Sequence, residues 1–425
     1  MKLFIGIDIG TSGIRAIAVD KSGLSHADVA TSLPVSHIDG PVSQQEPLIW
    51  WNSLMGILTV LLHQIHEHTV CAIAIDGTSG TMLAIDEAGT PLSPALMYND
   101  ARAHDEAKLV SVVAPADSAV HGATSGLAKW LWLKNLHTDT ANRIVHQTDW
   151  LNGMLCGRFD VTDKNNALKT GYDPIHNHWP DWLTQLGLDK ATLPTVVEAG
   201  TPIAPLLPQM AKQLGLDENV QVVSGTTDST ASFIATGCNK PGQAVTSLGS
   251  TLVLKVISSK PVFSPEHGVY SHPLGKHWLV GGSSNSGGAV LRQFFDDSQL
   301  EIMTPQLQPQ QPTGLDYYPL TQKGERFPYN DPDFMPHLSP RPDKDIVFFQ
   351  GILEGIAKIE LTGYRLLEQL GAPYPSSIAT TGGGSNNLAW NQIRENMLGV
   401  PVTKAKQQQA AYGAALLALR GSKVK

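Results

Sequence analysis

Two short glycine-bearing turns carry the residue types that hold phosphate. D-I-G-T-S-G spans Asp8 to Gly13 and S-L-G-S-T spans Ser247 to Thr251, each between two β-rich runs. A tight turn of Gly, Thr and Ser aims several backbone N–H groups and hydroxyls at one spot, which suits phosphate oxygens. Thr11 and Ser12 in the first turn, and Gly249, Ser250 and Thr251 in the second, are the candidate contacts. Asp8, at the strand end beside the first turn, offers the hard oxygen that Mg2+ takes through water. Either turn alone reads equally well as a plain hairpin, because glycine turns between strands are common.

A third segment makes a common explanation necessary. T-T-G-G-G-S-N-N (Thr380 to Asn387) follows the strand-like S-S-I-A-T and precedes the helix-like L-A-W-N-Q-I-R-E-N-M-L. Gly382 and Gly383 let the backbone pass flat against a planar ligand, and a helix N-terminus beyond them favours phosphate. Asn387 and Trp390 are placed to hydrogen-bond to a base and to stack on it. Asp228, in G-T-T-D-S-T-A, ends an apolar strand and opens a helix. There it is either a helix cap or a general base.

The elements that must position these residues alternate between strand and helix, so the expected fold class is α/β. Leu3–Ile9 and Ile14–Asp20 read as a hairpin, with a third run near Asp28 to Ser36. A helix near Leu48 to Ile65, a strand from Val70 to Asp76 and a capped helix in T-S-G-L-A-K-W-L-W-L-K-N-L (Thr124 to Leu136) follow. The strand V-Q-V-V-S-G and the strand–turn–strand of Ala244 to Val256 repeat the opening pattern. Helix formers run from Asp345 to Leu370 and stop at Gly371, while the Pro- and Gln-rich stretch from Pro305 to Pro342 predicts a surface excursion.

A chain of 425 residues exceeds one hydrophobic core and predicts two domains, divided near Thr236 to Gly242. The net charge of -8, with no basic block, argues against nucleic acid or anionic membrane as partner. It leaves room for a small phosphorylated ligand bound by local N–H groups. The three cysteines lie far apart, and the N-terminus carries no signal-peptide pattern. The longest apolar run, Leu54 to Leu62, is less than half a membrane span. Together these predict a cytoplasmic protein. The 15 histidines show no metal spacing.

The segment I-G-I-D-I-G-T-S-G-I-R-A-I-A-V-D resembles the first phosphate loop of the FGGY carbohydrate kinases, members of the actin-like ATPase superfold. S-L-G-S-T-L-V-L-K-V is similar to their second phosphate loop, and the segment from Ala379 to Val402 to their adenosine segment. E-P-L-I-W-W, Y-N-D-A-R, G-T-T-D-S-T-A and G-G-S-S-N-S-G-G-A-V-L-R-Q-F-F also match, in family order. G-E-R-F-P-Y-N-D-P resembles a stretch of xylulokinases, and F-F-Q-G-I-L-E-G the family's C-terminal signature. The chain is shorter than most members, which places the missing material among insertions in the second domain.

The resemblance implies two actin-like (ribonuclease H-like) α/β domains, residues 1–236 and 237–425, with the active site in the interdomain cleft. The last helix, A-A-Y-G-A-A-L-L-A-L, is expected to cross back onto the first domain. ATP and Mg2+ are implied, with a ketose as the other substrate, no nucleic acid or membrane partner, and monomer or homodimer left open. Asp228 takes the place of the catalytic base, Asp8 serves the cation and substrate, and Ser79 in D-G-T-S-G-T becomes a sugar hydroxyl partner. Arg15 either adds charge or is solvated, and Asp100 and Arg102 either face the sugar or pair with each other. The competing readings are an actin-like ATPase switch and a sugar sensor without turnover. The first needs no sugar pocket, and intact Asp8, Thr11 and Asp228 argue against the second.

Xylulokinases usually carry Q-M-H-G a few residues before an aspartate. Counting back from Asp86 without gaps, this chain has Thr78, Ser79, Gly80 and Thr81 there. A glycine replaces the histidine, and D-xylulose and D-ribulose differ only at C3. The expected substrate is therefore D-ribulose, with D-xylulose the alternative.

Overall fold

The structure is a computed structural model that describes residues 1–138 and 140–422. The chain divides into two compact units, Met1–Ala235 with Gln409–Lys425, and Thr236–Gln408.

In the first unit, β1 (Lys2–Ile9), β2 (Gly13–Asp20) and β3 (Ser25–Ser32) form an antiparallel meander. The helix α1 (Pro47–Gln64) leads into β4 (Thr69–Gly77), which returns parallel to β1. Next come β5 (Met82–Ile85), α2 (Gly126–Leu136), β6 (Arg143–His146) and α3 (Gln147–Cys156). The unit closes with β7 (Pro202–Pro205), β8 (Gln221–Thr227) and α4 (Asp228–Ala235). The sheet order is β7-β8-β4-β1-β2-β3. Strands buried on both faces read as near-continuous apolar runs, and β1 and β4 do. Leu3, Ile5, Ile7, Ile73 and Ile75 are fully buried.

The C-terminal helix Ala410–Gly421 lies in this same unit, although chain order puts it after the second. Its small residues let it sit directly on β1. A Cβ at Gly6 would come within 2.0 Å of the Ala411 carbonyl oxygen.

The second unit repeats the plan. It contains β9 (Gln243–Leu248), β10 (Leu252–Ser258), β11 (Tyr270–Leu274), β12 (His277–Ser284), α5 (Asp345–Gln369), β13 (Ser377–Thr381), α6 (Leu388–Leu398) and β14 (Val402–Lys404). The order is β11-β12-β10-β9-β13-β14, with β9 and β10 antiparallel and β9 and β13 parallel. The turns after β1 and after β9 thus occupy equivalent places in two similar sheets.

The stretch from Pro305 to Pro342 is irregular and largely at the surface, but it is anchored. Tyr317, Leu320 and Phe327 are buried in the core of the second unit. Buried Glu325 accepts from Ser284 Oγ (2.7 Å) and Tyr318 Oη (2.8 Å). The Pro and Gln content does not announce these anchors, because a few aromatic side chains suffice to hold an irregular segment down. Behind β9 and β13 lies a fully buried ion pair, Arg394 to Glu360 (2.6 Å). Glu360 also accepts from Thr246 Oγ1 (2.6 Å) on β9, and Arg394 donates to Thr380 Oγ1 (2.7 Å) on β13.

Candidate active site

Three aspartates gather at the carboxyl ends of three adjacent strands of the first unit. Asp8 on β1 is in register with Asp76 on β4, and Thr227 on β8 is in register with Gly77, which puts Asp228 next in line. Asp76 is fully buried, and neither of its oxygens has a protein partner other than the Asp8 carboxyl. Burial is the first reason that its carboxyl titrates well above the usual range, and the charges of Asp8 and Asp228 add to it. Burial also raises Asp8, opposed by the contact with Asp76 and by the positive charge of Arg15. Oδ1 of Asp8 is buried without a protein hydrogen bond. Asp228 stands partly exposed at the head of α4, where its Oδ1 accepts from the Ser229 amide at 2.6 Å.

The first turn is closed by the Gly10 amide donating to the Gly13 carbonyl (2.9 Å), which leaves Ser12 exposed and Thr11 half-buried. Arg15 does not line the turn freely, because it pairs with Asp28 across β2 and β3 at 2.9 Å. The second turn is closed from the Gly249 amide to the Thr251 carbonyl (3.1 Å), with the same pattern of an exposed Ser250 and a half-buried Thr251.

Beyond β4 the chain turns through residues 78–81. Gln147, the first residue of α3, accepts through Oε1 from the amide (3.0 Å) and hydroxyl (3.1 Å) of Thr78. Its Nε2 and the Oγ of Ser79 are both buried and without a partner. Gly80 holds φ +76°, a conformation that favours glycine, and a Cβ there would meet nothing closer than the Gly126 amide at 3.8 Å. Asp100 and Arg102 pair with each other (2.7 Å), and buried Asp100 also accepts from the Ser43 amide (2.7 Å).

In the second unit, the turn at 249–251 and the glycine segment after β13 share a cavity of about 780 Å3. Ser250, Arg292, Phe349, Gly383, Gly384 and Asn387 are among its lining residues. Two of the three glycines are required by space: a Cβ on Gly384 would lie 2.6 Å from the Trp390 ring and 2.7 Å from Leu248 Cβ, whereas one on Gly383 would meet nothing within 4 Å. Gly382 holds φ +80° against the Leu248 carbonyl. One expectation needs correction here. Trp390 is buried as the floor of the cavity, its indole N–H tied to the Leu353 carbonyl (3.1 Å), so it is not a free stacking surface. Asn387 lines the cavity, and its Oδ1 caps α6 by accepting from the Trp390 amide (2.9 Å).

Asp76 and Gln147 went unremarked as site residues in the sequence. Asp76 had a signal: A-I-A-I-D ends β4 as F-I-G-I-D ends at Asp8 in β1. Gln147 had none, since its contact with Thr78 spans 69 residues.

Residues 3–235 match the N-terminal domain, and residues 244–422 the C-terminal domain, of the FGGY family of carbohydrate kinases. The chain belongs to that family, and it is a sugar kinase that uses ATP with Mg2+. A xylulose kinase from Staphylococcus xylosus is 24% identical, with 99% of this chain and 91% of that protein covered. The xylulose kinase of Escherichia coli K12 is 25% identical over 93% of this chain and 85% of its own length. A gluconokinase from Bacillus subtilis is 23% identical over 98% and 86%. Among solved structures, a "xyloylose kinase" from Brucella ovis superposes with a TM-score of 0.89 at 24% identity, covering 100% of this chain and 91% of that one. Plasmodium falciparum glycerol kinase with ADP gives 0.88 at 17% identity, covering 100% and 90%. These likenesses show the fold, which is the family's two-domain, actin-like α/β fold. Among the described residues no helix is long and apolar enough to cross a membrane.

Proposed function

We propose that this kinase phosphorylates a ketopentose in the cytoplasm, D-ribulose in preference to D-xylulose, with Asp228 as general base. The names of the xylulose kinase relatives support the ketopentose class. The observation that carries the epimer is the 78–81 turn: Gly80 stands where xylulokinases usually carry histidine, space beside it is open, and Ser79 Oγ is an unsatisfied buried donor and acceptor. A site built to hydrogen-bond one configuration of a hydroxyl rejects the other strongly. The test compares kcat/KM for D-ribulose and D-xylulose in the wild type and in Ser79→Ala. Preference for D-xylulose would overturn the epimer, and an unchanged Ser79→Ala would remove that residue from the pocket.

In this reading Asp228 accepts the proton of the attacking hydroxyl, help worth ~10²–10⁴ in rate. Thr11 and Ser12 in one turn, and Gly249, Ser250 and Thr251 in the other, donate to phosphate oxygens. The cavity beside Gly382, Gly383 and Asn387 receives the adenosine moiety. The donor set fits Mg2+, which keeps several waters and needs only one or two carboxylates besides phosphate. Asp8, with its unpartnered Oδ1, would hold the hydrated ion. When bound, Mg2+ supplies neutralisation of phosphate charge.

A further inference from the structure

Lys129, on α2, is fully buried, yet no carboxylate lies within ion-pair distance of it among the described residues. A buried ammonium without a counter-ion is costly unless its donors are satisfied. An ammonium has three donors, and here each finds a carbonyl: Gly80 (2.6 Å), Met97 (2.8 Å) and Tyr98 (3.2 Å). The first carbonyl belongs to the 78–81 turn, and the other two open the loop that runs on to Asp100 and Arg102. One turn further along α2, Trp132 lies under the Arg102 guanidinium at 5.1 Å, a second hold on the same loop.

We propose that Lys129 is a positioning residue for sugar recognition, fixing the 78–81 turn against the 97–102 loop so that Ser79 is presented at a set angle. The Gly80 backbone explains why a clamp is needed. Its left-handed conformation has no side chain to brace it, and nothing packs within 3.8 Å of where a Cβ would be. The carbonyl is the remaining handle, and Lys129 takes it. Burial pulls the ammonium down to about 7, opposed by the Asp100 carboxylate, while His146 on β6 stays neutral beside it. The Asp100 charge is itself engaged by Arg102, so it acts on Lys129 from a distance.

This inference rests on the 78–81 turn being part of the sugar site. Its test measures KM for D-ribulose, D-xylulose and MgATP in Lys129→Met, Lys129→Gln and Ser79→Ala, on the acid side of neutrality where the ammonium is formed. Lys129→Met keeps the length and removes all donors, whereas Lys129→Gln restores up to two. The expected order of sugar KM is wild type, then Gln, then Met. The Met variant should be raised about tenfold or more, with KM for MgATP within about twofold, because positioning errors act on the group positioned. If Lys129→Met does not fold, Lys129→Gln decides alone, by a sugar KM raised at least about threefold at unchanged MgATP KM. Sugar KM values at the wild-type level in a folded variant overturn the clamp, as does a parallel rise in both KM values. Ser79→Ala separates the two claims. If it leaves sugar KM unchanged while the Lys129 variants raise it, the clamp stands and the Ser79 contact falls.

Discussion

Asp76 faces Asp8 across neighbouring parallel strands, in register and fully buried, and its carboxyl has no other protein partner. Two carboxyls this close share their protons, so their titration belongs to the pair. The charge of the partly exposed Asp228, next in line at the strand ends, pushes Asp76 further the same way.

A carboxyl whose folded pKa is raised binds its proton more tightly folded than unfolded. Stability therefore falls as pH rises from the ordinary carboxylate value toward the raised one, by at most about 1.4 kcal/mol per pH unit for one group. Asp76→Asn keeps the shape and a donor toward Asp8 but has no proton to lose. Its stability relative to the wild type should grow as pH rises above the ordinary carboxylate value, read from urea midpoints. Parallel pH dependence in the two proteins would show that Asp76 is not held protonated.

Asp8→Ala should raise the Mg2+ concentration needed for half-maximal turnover while sugar affinity stays within a few-fold. Calorimetric titration with sugar alone and with MgATP alone separates the two. Collapse of sugar affinity with MgATP binding intact would assign Asp8 to the sugar instead.

Gly384→Ala places a methyl group against Trp390 and Leu248 in the floor of the cavity. Overpacking of this kind costs about 1–3 kcal/mol, roughly 5- to 150-fold if it falls on nucleotide binding. The rise should appear in KM for MgATP and not in KM for sugar. A change confined to the sugar would remove the cavity as the nucleotide site.

The Glu360–Arg394 pair joins α5 and α6 and reaches β9 and β13 through Thr246 and Thr380. Glu360→Ala leaves the guanidinium buried and uncompensated, a loss of about 3–5 kcal/mol. The denaturation midpoint should fall accordingly, and an unchanged midpoint would mean water replaces the carboxylate.

The turns, the strands that flank them and the Asp228 position were readable from the sequence because each is local: Gly, Ser and Thr at a strand end announce themselves. What was not readable depends on contacts between distant segments. Gln147 meets Thr78, and Lys129 meets Gly80, only because β4, α2 and α3 pack together. Trp390 looked like a stacking surface in a linear reading, and only Gly384 pressed against its ring shows it to be the floor. The anchors of the Pro305 to Pro342 stretch are hidden for the same reason: composition speaks of turns, while Tyr317 and Phe327 speak of a core only once α5 is in place.

The central claim is that Asp228 takes the proton from the sugar hydroxyl, and Asp228→Asn tests it most directly. The amide keeps the size and the place at the head of α4 but cannot accept a proton. Sugar-dependent ADP formation should fall by about 10²-fold or more, with MgATP affinity from calorimetry within a few-fold of the wild type. Near-normal phosphorylation by Asp228→Asn would contradict the account.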